Sequence, residues 1–237
     1  MKILVVIPAF NEEKNLVDLI NRIGFLNECQ VNVIVINDKS TDNTISLLNN
    51  MKVEYIDLPC NLGIGGAVQT GYKYAELHDF DIAIQVDGDG QHDPHFIKDL
   101  IDPLIEGRAD MVIGSRYIKK EGFQSSIMRR VGIRYFSLVI NLLTGVVVTD
   151  PTSGFRACNS KVIRQFVRYY PVDYPEPESI VSLLRNGFKI EEIPVVMAKR
   201  QNGKSSINKF KSIYYMFKVS LAIFIDMLRQ KQKKLQS

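Results

Sequence analysis

Two carboxylates, Asp87 and Asp89, stand on either side of Gly88 at the end of an apolar run, Ile82-Ala83-Ile84-Gln85-Val86. At the exit of a buried strand, such a pair is placed to hold a divalent cation. Mg²⁺ and Mn²⁺ prefer oxygen ligands and are commonly bound by one or two carboxylates, with substrate phosphates completing the shell. The chemistry implied is metal-dependent transfer on a phosphate-bearing substrate. Gln91 adds a neutral oxygen just beyond Asp89, and Gln85 interrupts the apolar run. Taken alone, the pattern is equally that of an ordinary turn, because Asp and Gly both suit loop backbones.

The acids need a frame, and the flanking sequence supplies one. Lys2 to Ile7 reads as a strand that stops at Pro8 and passes through Ala9-Phe10-Asn11-Glu12-Glu13 into an amphipathic helix ending near Leu26. Val31 to Asn37 reads as a second strand, Asp38-Lys39-Ser40-Thr41-Asp42 as a turn rich in helix-capping residues, and Asn43 to Asn50 as a short helix. A third strand, Val53 to Leu58, precedes a glycine-containing loop, Pro59 to Gly66, and a helix to about His78. Strands alternating with helices, each strand nearly continuous in Val, Ile and Leu, predict an α/β fold with a mostly parallel central sheet flanked by helices. Ligands of such sheets bind beyond the carboxyl ends of the strands. Pro8 to Glu12, Asp38, and Asp87 to Gln91 should therefore meet in one crevice. The glycine loop is not a dinucleotide fingerprint, since Val68 stands where the third glycine should be; Gly65 and Gly66 are expected to let the helix start close to the sheet.

With these segments in order, the chain resembles the family 2 inverting glycosyltransferases of GT-A type, most closely the branch that makes dolichyl- or polyprenyl-phosphate sugars. The resemblance runs from residue 2 to about 208. It is carried by Val6 to Glu13, Asn37 to Asp42, Asp87 to Pro94, Gly114-Ser115-Arg116, Asp150 to Arg156, and Arg200 to Ser205. It implies that Pro8, Ala9, Asn11, Glu12 and Asp38 line the base and ribose of a nucleoside-diphosphate sugar donor, with Asp38 at the base edge. It implies that Asp87, beside Gly88, orients the ribose or the metal, and that Asp89 and Gln91 hold Mg²⁺ or Mn²⁺ on the diphosphate. Arg116 and Arg200 would meet the diphosphate or an anionic acceptor, and Asp150 is the acceptor-side carboxylate. Two positions depart from the family pattern. Asn37 and Lys39 replace the usual acid and glycine around Asp38, and Arg134 stands where the branch often has serine.

Physical chemistry separates two versions of the reaction. Displacing a nucleoside diphosphate builds negative charge on the leaving oxygen, which a divalent cation neutralises, and in-line attack inverts the anomeric centre. A lipid phosphate monoester, with a second pKa of about 6, is mostly ionised at neutral pH and needs little base catalysis. A hydroxyl acceptor on a growing glycan would need a carboxylate to take its proton. Asp150 could serve as that base; with a phosphate acceptor it would instead orient an arginine such as Arg116 or Arg130. The resulting expectation is a hexosyltransferase acting from UDP-glucose onto polyprenyl phosphate, with the catalytic roles on Asp89, Asp150 and Arg116. Transfer to a glycan hydroxyl and a non-catalytic nucleotide-sugar-binding subunit are the alternatives.

Composition limits the rest. The chain has 237 residues, 46% of them hydrophobic, enough for one compact domain. We divide it into a catalytic domain, 1–205, and a basic tail, 206–237. Met1-Lys2 leads straight into the first strand without a secretory signal, and Cys29, Cys60 and Cys158 lack metal-binding spacing; both features predict a cytoplasmic protein with reduced thiols. Charge is uneven: residues 199–237 hold ten Lys or Arg against the single acid Asp226. From Lys209 onward the basic residues interleave with Ile213, Phe217, Leu221, Phe224 and Leu228 at helical spacing, a C-terminal amphipathic helix interrupted by Lys218 and Asp226. A bilayer crossing needs about 20 mostly apolar residues, so this helix is expected to lie on a membrane surface, at the inner face of the cell membrane. It could instead pack on the sheet or on another subunit of a homo-oligomer. The stretch Ile127 to Val148, with Arg129, Arg130 and Arg134, has the same interfacial character. A small membrane-anchoring protein is a further expected partner. Nucleic acid is not, because no stacking platform accompanies the basic tail.

Overall fold

The computed structural model describes residues 1–24, 31–123, 126–173, 175–198 and 209–228; within the last segment the side chains of 209–215, 226 and 228 are not described. Arg200 and the Arg200–Ser205 segment, Cys29, Tyr174 and the basic residues beyond Leu228 lie outside these residues, as does the expected helix end at Leu26.

Seven strands form one sheet in the order β3-β2-β1-β4-β6-β5-β7. They are β1 (Ile3–Ala9), β2 (Val31–Asn37), β3 (Glu54–Asp57), β4 (Ile82–Gln85), β5 (Met111–Ser115), β6 (Arg156–Asn159) and β7 (Ile190–Pro194). The helices are α1 (Leu16–Gly24), α2 (Thr44–Met51), α3 (Gly63–Leu77), α4 (Ile97–Ile105), α5 (Ile127–Thr144), α6 (Ser160–Arg168), α7 (Pro175–Arg185) and α8 (Lys209–Leu228). The alternation in the strands shows why the sheet has helices on both faces. Leu4, Val6, Ile34, Ile36, Ala83, Met111 and Ile113 point into one core, beneath α3, α5, α6, α7 and α8. Ile3, Val5, Ile7, Val35, Ile84 and Val112 point into the other, against α1, α2 and α4. A strand apolar on both faces is stable only when both are covered.

Among the described residues β6 is the one antiparallel strand, and it was not anticipated. Only four residues long, it runs directly into α6, whose first turn is capped by Asn159 accepting from Lys161 and Val162 at 3.1 Å each. It pairs antiparallel with both neighbours, Ile84 opposite Ala157 and Met111 opposite Cys158. The consequence is functional. The loop entering β6, Asp150 to Phe155, arrives at the same sheet edge as the carboxyl ends of the parallel strands.

Glycine placement corrects one expectation. Gly65 does not bring α3 onto the sheet: a Cβ there would sit 2.2 Å from the carbonyl oxygens of Pro171 and Val172, so it admits the chain that follows α6. The close contact with the sheet is made one helical face later, at Gly71, where a Cβ would meet Val6 at 2.2 Å. The proline-rich segment after α6 opens a helix: α7 starts at Pro175, a position where proline costs no hydrogen bond. Glu176 and Glu178 occupy its first turn, and Glu178 accepts the Tyr169 hydroxyl at 2.6 Å.

Helix α8 packs against α5 and α7. Val219 and Ile223 are buried, Tyr135 and Ser220 share a hydroxyl contact of 2.8 Å, and Lys218 pairs with Asp173. Its outer face is also apolar, with Phe217 73% and Phe224 60% exposed. Over its described side chains, 216–225 and 227, the outer side of this helix carries large apolar residues as the buried side does. No helix among the described residues is long and apolar enough to cross a membrane.

Candidate active site

The end of β4 lies against the end of β1. Gly88 is so close to Pro8, Ala9 and Glu12 that a Cβ would meet the Pro8 carbonyl oxygen at 3.0 Å and the Glu12 side chain at 3.5 Å. The end of β2 joins them through Asn11, whose left-handed backbone (φ 58°) is one that asparagine tolerates. Its amide oxygen accepts the Thr41 N–H at 2.7 Å, and its own N–H donates to Ser40 Oγ at 2.9 Å. Pro8, Ala9, Asn11, Glu12, Asp38, Asp87 and Gly88 thus converge as the topology required.

Asp38 is only 4% exposed, and its two oxygens accept the N–H groups of Leu62 (2.6 Å) and Gly63 (2.9 Å) at the start of α3. A carboxylate is well placed at a helix N-terminus, where unpaired amides and the helix dipole both favour negative charge. In this structure Asp38 fixes the glycine loop to the end of β2. Asn37, fully buried beside it, donates to Asp57 at 2.7 Å and ties β2 to β3.

Asp87 is held from beneath while its carboxylate stays 34% exposed. Fully buried Gln85 donates to Oδ1 at 3.0 Å. His92 Nδ1 accepts the Asp87 backbone N–H at 3.1 Å, which assigns the ring proton to Nε2, 3.7 Å from Asp87 Oδ2. The His92 ring is stacked on Phe155 with centroids 4.8 Å apart. Asp89 Oδ1 accepts the Gln91 N–H at 3.1 Å, and Gln91 bonds Ala198 through both its backbone oxygen (2.9 Å) and its side-chain amide (3.1 Å). The loop after β7 is thereby stitched to the loop after β4.

The loop entering β6 closes the site. A Cβ on Gly154 would lie 2.6 Å from Asp87 Oδ2 and 2.8 Å from Oδ1, closer than any side chain permits. Gly154→Ala should therefore displace the Asp87 carboxylate and raise the metal concentration needed for half-maximal activity by about tenfold, while thermal unfolding stays close to wild type; a metal titration of activity checks this.

Arg116, just past β5, and Asp150 are brought together. Asp150 is fully buried and Arg116 is 8% exposed. Arg116 Nε and Nη2 donate to Asp150 Oδ2 and Oδ1 at 2.6 and 2.7 Å, and the Arg116 N–H adds a longer bond to Oδ2 at 3.3 Å. Thr152 Oγ1 bridges the pair, accepting from Arg116 Nη2 at 3.2 Å and donating to Asp150 Oδ1 at 3.3 Å. Burial works against the guanidinium charge, but the bonds to Asp150, with the Asp150 and Asp87 charges behind them, hold its pKa above the ordinary arginine value. Elsewhere, Cys158 is buried and its thiol is pushed up to about 12 by that burial, which makes it a packing residue rather than a nucleophile.

Asp87, Asp89 and Gln91 offer oxygen donors only, the set that suits Mg²⁺ or Mn²⁺. Among the described residues no three His, Cys, Asp or Glu side chains group to hold a metal, so the rest of the shell would fall to phosphate oxygens and water. Sequence reasoning missed the supports of this site: Gln85, His92 and Gly154 under Asp87. Gln85 left a signal, as a polar residue in an otherwise apolar strand, and Gly154 left none beyond its place in the Asp150–Arg156 segment.

The model for the family described as "Glycosyl transferase family 2" matches residues 4–167. The UDP-N-acetylglucosamine–dolichyl-phosphate N-acetylglucosaminyltransferase of Methanococcus voltae is 29% identical, over 94% of this chain and 98% of that protein. The polyprenol monophosphomannose synthase of Mycolicibacterium smegmatis is 28% identical, over 92% and 85%. Among solved structures, glucosyl-3-phosphoglycerate synthase from Mycobacterium tuberculosis in complex with Mn²⁺ and UDP-glucose superposes with a TM-score of 0.67 at 20% identity, covering 95% of this chain and 78% of that one. That likeness identifies the fold as GT-A.

Proposed function

Since this chain belongs to glycosyl transferase family 2 and is a glycosyltransferase, we propose that it transfers a hexose from a nucleoside diphosphate, with UDP-glucose as the donor, to polyprenyl phosphate at the inner face of the cell membrane, with inversion. The observation that carries this choice of acceptor is the state of Asp150. With no exposure and with its oxygens accepting from Arg116 and Thr152, it is poorly placed to take a proton from a hydroxyl. A phosphate acceptor asks for no such base. The names of the two relatives, each of which includes a polyprenyl- or dolichyl-linked acceptor or product, support the same class.

In this reading an acceptor phosphate oxygen attacks the anomeric carbon from the face opposite the diphosphate, and the carbon–oxygen bond to the diphosphate breaks with its electron pair on the leaving oxygen. Asp87, Asp89 and Gln91 would hold Mg²⁺ or Mn²⁺, which supplies Lewis-acid neutralisation of that leaving charge. Asp150 keeps the Arg116 guanidinium charged and oriented at the same sheet edge, where it contributes positive potential to both anions. Asn11, Glu12 and the Pro8-Ala9 backbone form the wall for the nucleoside, and Arg200 is assigned to the diphosphate or acceptor side.

Two exposed apolar faces support a membrane surface as partner. Ile127 and Leu142 on α5 are 71% and 74% exposed and share that helix with exposed Arg129, Arg130 and Arg134; Phe217 and Phe224 are exposed on α8, which packs on α5. Apolar side chains flanked by arginines suit an interface with anionic lipid, each basic residue contributing about 1 kcal/mol. A small anchoring protein or a second subunit would compete for the same face.

The test offers labelled UDP-glucose with either polyprenyl phosphate or the corresponding polyprenol. We expect a lipid-linked, mild-acid-labile product from the phosphate alone. Transfer to the alcohol, or an acid-stable product, would reject the proposed acceptor, and turnover only with another nucleotide sugar would replace the donor.

A further inference from the structure

Glu192 sits on β7 opposite Ile113 of β5 and has been given no role above. Its carboxylate accepts the backbone N–H of Thr149 at 2.6 Å on one oxygen and that of Asp150 at 2.8 Å on the other. The neighbouring hydroxyls of Ser115 and Thr149 are 2.6 Å apart, so the ends of β5, the loop before β6 and β7 are joined at one point. We propose that Glu192 is a positioning residue that sets the register of the Arg116–Asp150 pair by gripping the Asp150 backbone. It touches neither sugar nor phosphate in the scheme above. A carboxylate can receive two adjacent amides at once; a glutamine can receive one and turns an N–H₂ toward the other, and an unmet buried amide is costly. The inference deepens the proposed function, because a correctly aimed Arg116 is what that function needs from Asp150.

The test reads the pair directly in the full chain. In Glu192→Gln, hydrogen exchange at Arg116 Nε–H, observed by ¹⁵N NMR, should accelerate at least about tenfold through the lost bond to the loop. Exchange at Arg156 Nε–H, which donates to Ser153 at 3.1 Å in the same protein, should not change. Glu191→Gln, on the same strand but paired with exposed Arg108, should leave both rates unaltered. With polyprenyl phosphate and UDP-glucose, Glu192→Gln should lower kcat and leave the donor KM nearly unchanged. An unchanged Arg116 rate, or equal acceleration at Arg116 and Arg156, would overturn the positioning role and reduce Glu192 to a general stabiliser. If Glu192→Gln does not fold, Glu192→Asp, which keeps the charge but shortens the reach, carries the same comparison. Absence of any transfer by the wild type would sink the proposed function yet leave the exchange comparison decisive for Glu192.

Discussion

Replacing Asp89 with Asn should lower sugar transfer by about a thousandfold, the scale on which loss of one preorganised charge-stabilising group slows such a step. The substitution is nearly isosteric. Its amide oxygen can still accept the Gln91 N–H that Asp89 Oδ1 accepts at 3.1 Å, so the turn and the stitch to Ala198 should survive. What changes is the ligand: one anionic oxygen becomes an N–H₂ group that turns its protons toward the cation. The defect should appear as a higher metal requirement together with a lower kcat at saturating metal, and thermal unfolding of the metal-free protein should be unaltered. Wild-type activity with unchanged metal dependence would remove Asp89 from the mechanism.

The second large effect concerns stability as well as activity. Arg116→Ala strips both strong hydrogen bonds from a carboxylate with no solvent exposure, and an uncompensated buried charge costs about 3–5 kcal/mol. Denaturant unfolding should register a loss of that order. The double variant Arg116→Met/Asp150→Leu should regain most of it, because removing both charges also removes the desolvation cost of each. Transfer should remain lost in both. That pattern separates the structural work of the pair from its electrostatic work at the sheet edge. Arg116→Lys should fall between wild type and Ala, since an ammonium retains the charge but cannot form the two-pronged contact. A double variant that recovered activity along with stability would mean that the pair serves only the fold.

The parallel half of the architecture was legible in the sequence because each of its strands carries a period the eye can follow. The runs Ile3–Ile7, Val31–Asn37 and Ile82–Gln85 are largely apolar on both faces, and the structure buries the first and last of them, with the Ile34–Asn37 end of the second, between two helical layers. The crevice followed from the same reasoning, since parallel strands deliver their carboxyl ends to one edge. The antiparallel strand β6 was not legible. Arg156-Ala157-Cys158-Asn159 has no alternation and too few residues to declare itself, and only its long-range pairing with Ile84 and Met111 defines it. With that strand missing, nothing in the sequence placed Gly154 against Asp87 or explained how Asp150 could reach Arg116.

The site residues divide along the same line. Local motifs pointed to Asp87 and Asp89, and two of their supports, Gln85 and His92, lie close by in sequence, whereas Gly154 reaches Asp87 only through tertiary contact. Glu192 likewise acts on a loop far from it in sequence. Asp38 was named for ligand recognition on its type and position; the N–H groups of Leu62 and Gly63 at the start of α3, which its two oxygens accept, are partners that only the fold could supply. The apolar outer face of α8 was foreseen as a run of large side chains, but the buried face formed by Val219 and Ile223 needed α5 and α7 in place.

The central claim is that Asp87 and Asp89 together hold a divalent cation against the donor's diphosphate. Mn²⁺ binding followed by electron paramagnetic resonance, with and without UDP, on the wild type, Asp87→Asn and Asp89→Asn, tests it most directly. The account predicts tight Mn²⁺ uptake by the wild type that strengthens when UDP is present, and loss of that UDP-dependent gain in both variants. Equal Mn²⁺ affinity in all three proteins, or an affinity indifferent to UDP in the wild type, would contradict it.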